Sequence, residues 1–172
     1  MALTQLRAGA FPSGSVVQTV VTTKDDTFSS SSSSTAFEDI TGMSVTITPS
    51  STSSKVLVTL YLSVSSDPAT HADFKILRGS TDIQLPTAVG DRVSSHSHYY
   101  GSTSYNDHYD IETTVIQLLD SPSTTSATTY KVQVATTNDA SYVMHINRTG
   151  NDSNNNYNGR TVSTITAMEI KG

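Results

Sequence analysis

Residues 96–109, HSHYYGSTSYNDHY, hold three of the chain's five histidines and four of its eight tyrosines. His96 and His98 flank one serine, so in an extended backbone both imidazoles fall on one side. One such pair cannot complete a metal shell. Three pairs around a threefold axis would offer six nitrogens, which suits an octahedral transition metal. The competing reading is a pair of exposed loop histidines, and on that reading no metal is expected here. Tyr99, Tyr100, Tyr105 and Tyr109 are mixed with Asn106, Asp107 and several hydroxyls. Aromatic faces stack on sugar rings while Asn and Asp take sugar hydroxyls, so a host-surface glycan is one possible ligand of this stretch. The same residues also serve protein interfaces at low entropy cost. Gly101, the repeated Ser and Thr and the lack of apolar alternation argue for an exposed loop at one end of the fold, not a buried strand. His71, His108 and His145 stand alone in the sequence and read as surface or internally satisfied side chains.

Other chemistry does not assemble. There is no G-x-S-x-G elbow for a serine nucleophile. Glu38, Glu112 and Glu169 fall in predicted strands without a pairing signal, whereas a glycosidase needs two carboxylates across a groove. Asp25-Asp26 and Asn151-Asp152 lack the spacing of an EF-hand loop and read as turns. The chain has no cysteine, hence no disulfide and no thiolate zinc site. A net charge of −5 with no basic stripe argues against a nucleic-acid partner. No apolar run approaches the roughly 20 residues of a membrane helix, and Met1–Phe11 lacks the apolar core of a secretion signal. The expectation is a non-enzyme without a cofactor.

The elements that would position these residues are strands. The chain has 172 residues, which suits one domain, and 35% of them are hydrophobic. Ser and Thr make up about a third of it, well above ordinary usage. Thr fits a pleated, half-wetted surface and Ser concentrates in turns. Alternation predicts strands over 15–22, 37–41, 43–48, 55–65, 71–78, 111–119, 129–136, 141–147 and 161–170, with a short return at 82–85. Lys55–Ser65 is the clearest: Val56, Val58, Leu60, Leu62 and Val64 share one face. Gly42 separates the second and third strands, and the six serines 29–34 read as a polar link. Eight to ten strands spaced by turn signals, with no helix, are the pattern of an antiparallel sandwich or closed barrel. The last strand is expected to pair beside the first. Residues 1–14 read as an arm separate from a domain over 15–172, and its Leu3, Leu6 and Phe11 need somewhere to dock.

The stretches PSGSVVQTV, FEDITGMSVTITPSSTSSKVLV, ILRGST, LLDSPSTTSATTYKVQ, INRTGNDSNNNYNGR and STITAMEIKG resemble, in order, a family of virion structural proteins of tailed bacteriophages, especially marine and cyanobacterial ones. The resemblance runs over nearly all of the chain after residue 11. It implies an all-β antiparallel jelly-roll sandwich similar to the trimeric heads of the tumour necrosis factor and complement families, with an extended N-terminal arm. It also implies a homotrimer assembled in the bacterial cytoplasm and carried on the virion. Two positions fit: a capsid decoration (cement) protein or short head fibre, bound to the major capsid protein through the arm, or a receptor-binding tip docked to a tail protein. A chain that starts at Met1 without a repetitive shaft favours the first. The quoted stretches are scaffold, and 90–110 is the part outside any shared motif.

Overall fold

The computed structural model describes residues 11–31, 35–67, 70–101, 108–136 and 143–172. In chain order the strands are β1 (Val16–Lys24), β2 (Phe28–Ser30), β3 (Glu38–Ile47), β4 (Lys55–Ser66), β5 (His71–Arg78), β6 (Thr81–Asp82), β7 (Ser97–Tyr100), β8 (Glu112–Asp120), β9 (Thr128–Thr136), β10 (Met144–Ile146) and β11 (Ser163–Ile170). Every pairing among them is antiparallel. One sheet runs β1-β11-β4-β8 and the other β3-β9-β5, with β6 and β7 sharing the outer edge of β5. First and last strands lie side by side in one sheet, and consecutive strands cross repeatedly to the other. That order is a jelly roll.

The core fills the space between the sheets. Val56, Val58, Leu60, Leu62 and Val64 of β4 are fully buried, as the alternation predicts, and face Phe74, Ile76, Val132 and Val134. β3 is one strand, not two. Gly42 takes φ +83° at a register break between Asp39 and Ser44, so the residue that looked like a stop is a bulge inside the strand.

β10 and β11 act as one strand with an excursion. Val64 pairs with Glu112 of β8 on one side, so Ile146 of β10 must lie on the other, the side where β11 pairs with Lys55–Tyr61. Residues 147–162 leave that line and return to it. β1 and β2 follow the same course alongside, interrupted at 25–27. Asn147 closes both gaps. It is fully buried at φ 63°, and its Nδ2 donates to the Lys24 and Asp26 carbonyls at 2.9 and 3.0 Å. Ser163 Oγ donates to its Oδ1 at 2.6 Å.

Candidate functional site

The described residues of 96–109, which are 96–101 and 108–109, do not form one loop. Ser97–Tyr100 is strand β7, paired with His71–Phe74 of β5, which corrects the expectation of a loop there. The reason is a free edge: the 71–74 half of β5 has unpaired backbone groups that a passing chain can satisfy. Tyr99, opposite Ala72, points inward against the core, so it is no part of an exposed surface. Tyr100 and His98 point outward.

His96 and His98 do not form a pair. His96 precedes the strand and fills the gap between β7 and β6 along the β5 edge. Its backbone N–H donates to the Phe74 carbonyl, its Nδ1 accepts from Ile76 N at 3.0 Å, and its Nε2 donates to the Ile83 carbonyl at 2.9 Å. Both ring nitrogens are used in the backbone ladder. Burial pulls its pKa below the ordinary histidine value and keeps the ring neutral. His98 stands on the outer face beside His71, with Nδ1 of His71 3.4 Å from Nε2 of His98. His71 is therefore not isolated, as its place in the sequence suggested; strand register brings it to His98. The Tyr100 ring lies 4.5 Å from the His71 ring.

Tyr109 lies elsewhere, at the end of the sandwich opposite Phe11. There Gly101, residues 108–110 and the excursion 147–162 meet, and Asn151 N donates to the His108 carbonyl. The Tyr109 ring, 44% exposed, meets Tyr157, 73% exposed, edge to face at 6.3 Å. Asp152 receives Arg148 at 3.0 Å and Arg160 at 2.6 Å, so this Asn/Asp run is an ion-paired loop. Arg160, the first cause, and Arg148 hold the Asp152 carboxyl below its usual range. Tyr105, Asn106 and Asp107 lie outside the described residues, as do Leu3 and Leu6. Phe11 is half-buried, and its carbonyl accepts from Lys171 Nζ.

Two further clusters of buried polar groups are ties. Arg78 donates to both Asp120 oxygens at 2.9 and 2.8 Å, and the Tyr130 hydroxyl adds a third bond at 2.8 Å. Burial first, then the Asp120 bond, pushes the Tyr130 hydroxyl well above its usual pKa. His145 accepts from Arg148 on Nδ1 at 2.8 Å; burial first and that guanidinium second pull its pKa down to about 4. Among the described residues no three His, Asp or Glu side chains converge to hold a metal ion.

The two outer faces differ in charge. Outside the β3-β9-β5 sheet, Lys131 pairs with Asp39 at 2.8 Å and Lys75 with Asp82 at 2.7 Å. Outside the β1-β11-β4-β8 sheet the register sets out uncharged rows: Thr19, Met168, Leu57, Leu119, then Val21, Thr166, Thr59, Gln117, then Thr23, Thr164, Tyr61, Val115. Val21, Tyr61, Val115 and Leu119 are exposed large hydrophobics. Among the described strand residues of this face, the charged one is Lys55 at the rim. Alternation in β1, β4, β8 and β11 made these residues visible individually; their alignment into one surface needed the register.

No family model and no curated protein matches the chain. Among solved structures it is similar to the infectious bursal disease virus VP2 subviral particle, with a TM-score of 0.40 and 14% identity, over 91% of this chain and 42% of that one. The chain thus spans less than half the length of that protein, and a likeness this distant carries no weight for function.

Proposed function

We propose that the protein is a non-enzymatic structural component of a bacteriophage virion, a homotrimeric capsid decoration or short head-fibre protein held to the particle by its N-terminal arm. The observation that carries this reading is the uncharged outer face of β1-β11-β4-β8. An apolar and hydroxyl-rich sheet face spanning four strands is a contact surface. It continues into the edge of β8, whose residues 113–119 (TTVIQLL) hold no charge and no proline. Charged side chains and proline are two of the devices by which proteins guard an exposed edge. A second copy of the same chain covers face and edge together and closes into a ring. The bacteriophage assignment rests on the sequence resemblance.

Light scattering on the purified protein tests the assembly. A trimer is expected, and Tyr61→Lys with Val115→Lys should give a folded monomer. A wild-type monomer at micromolar concentration sinks the reading. Copy number in purified particles tests the position: a decoration protein approaches the major capsid protein in abundance.

The rival reading is a receptor-binding tail-fibre tip recognising a host glycan. The Tyr109–Tyr157 pair favours it, because two exposed rings beside an amide-rich loop offer a stacking surface for a sugar. Binding to host-surface polysaccharide that is lost in Tyr157→Ala, with few copies per particle, would establish that reading instead.

A further inference from the structure

The outer face of the β5/β7 edge carries a constellation that the assembly reading does not use. We propose that His71 and His98 form a two-imidazole site for a divalent cation of zinc type. In the cross-strand register Asp73 faces His98 and His71 faces Tyr100, so the two histidines are diagonal neighbours on one face. Their Nδ1 and Nε2 atoms are 3.4 Å apart and the ring centroids 5.4 Å apart, so the nitrogens face each other across the gap. Two nitrogens bound to one tetrahedral zinc at about 2.0–2.1 Å each stand about 3.4 Å apart.

The third residue orients the pair. Asp73 is buried, and its Oδ1 accepts from His98 Nδ1 at 3.1 Å while also accepting from Ser95 Oγ at 2.8 Å. That bond places the His98 proton on Nδ1 and leaves the Nε2 lone pair toward His71. A carboxylate behind a ligating imidazole fixes its tautomer and ring orientation. The His71 tautomer with its proton on Nε2 turns a second lone pair into the same gap. The chain supplies two ligands, and water completes the shell, so the ion is not a folding requirement. Arg92 lines the hollow next to His98, but its guanidinium is turned to the Val89 carbonyl. The site is independent of the proposed trimer face, which lies on the other sheet.

Calorimetric titration of zinc chloride into chelator-treated, dialysed protein tests it. The wild type is expected to take up one zinc per chain. His71→Ala and His98→Ala should each weaken binding at least about tenfold, since loss of an outer-shell partner alone costs about 10–100-fold. Asp73→Asn should weaken it about 10–100-fold at the same stoichiometry. Circular dichroism on each variant separates loss of ligand from loss of fold, and the two alanine variants decide the matter if Asp73→Asn fails to fold. No zinc uptake by the wild type, or uptake unchanged in both alanine variants, overturns the site.

Discussion

Glu169 is fully buried, and neutral donors hold its charge. Gln18 Nε2 reaches Oε2 at 2.6 Å, while Ser50 N, Ser50 Oγ and Ser54 Oγ reach Oε1 at 2.7, 2.6 and 2.7 Å. Burial alone pushes the carboxyl up, but these bonds together outweigh it and hold the pKa below the ordinary value. Glu169→Gln keeps the shape but turns an amide donor toward groups that are themselves donors, and should cost about 1–3 kcal/mol. Because the folded pKa lies below the unfolded one, the wild type's advantage is full above about pH 4.5 and shrinks as pH falls further. Denaturant titrations of both proteins at pH 7 and pH 3.5 check this; an equal gap at both refutes it. His145 and His96 work over a higher range. Both are held neutral in the fold, His145 down to about pH 4, so their contribution is present above about pH 6.5 and is lost as pH falls toward 4. The melting temperature should therefore drop between pH 6.5 and 4.5, less so in His145→Asn.

The excursion 147–162 is an element whose cost is met at one residue. Asn147 does two jobs. It takes a left-handed backbone that Asn tolerates better than most residues, and its side chain ties the end of β1, the 25–27 link that follows it and β11. The two are separable. Asn147→Gly keeps the backbone and loses the bonds, an expected loss of about 1–3 kcal/mol. Asn147→Ala loses both and should cost a further 1–2 kcal/mol or so. Equal stability of the two variants in urea would show that the φ angle is not a constraint. The same comparison bears on recognition, since this excursion carries Tyr157.

At the scale of the molecule, the described arm residues join the sandwich at the end away from Tyr109 and Tyr157. Gly14 N donates to the Lys171 carbonyl at 2.7 Å, and Lys171 N donates to the Ser15 carbonyl at 2.9 Å. Ser13 Oγ donates to the same Lys171 carbonyl and the Phe11 carbonyl accepts from Lys171 Nζ, so 11–15 run beside the residue that follows β11. Removing residues 1–10 should leave a cooperatively melting trimer that no longer decorates particles. Truncated protein that still binds particles at wild-type occupancy would refute the anchoring role, and a monomeric product would move the arm into the assembly.

Much of the scaffold was legible because a half-buried strand writes its own period. Val56–Val64 in β4, His71–Arg78 in β5 and Thr129–Thr136 in β9 alternate, and each lies where that alternation puts it. Even the pairing of first and last strands followed from their place in the order. What no local pattern carried was the partnership between strands. Gly42 looks alike as a stop and as a bulge until β9 is beside it. Ser97–Tyr100 is a strand because β5 has a vacant edge, which is a property of β5 and not of those four residues. His96 and His98 are two apart in sequence yet take different partners, the one backbone groups of Ile76 and Ile83, the other His71 and Asp73, while His71 and His98, 27 apart, meet at 3.4 Å. Periodicity is set by each residue's own burial and is local. Register is set by which strands lie side by side, and so the tertiary fold alone decided which polar residues became neighbours.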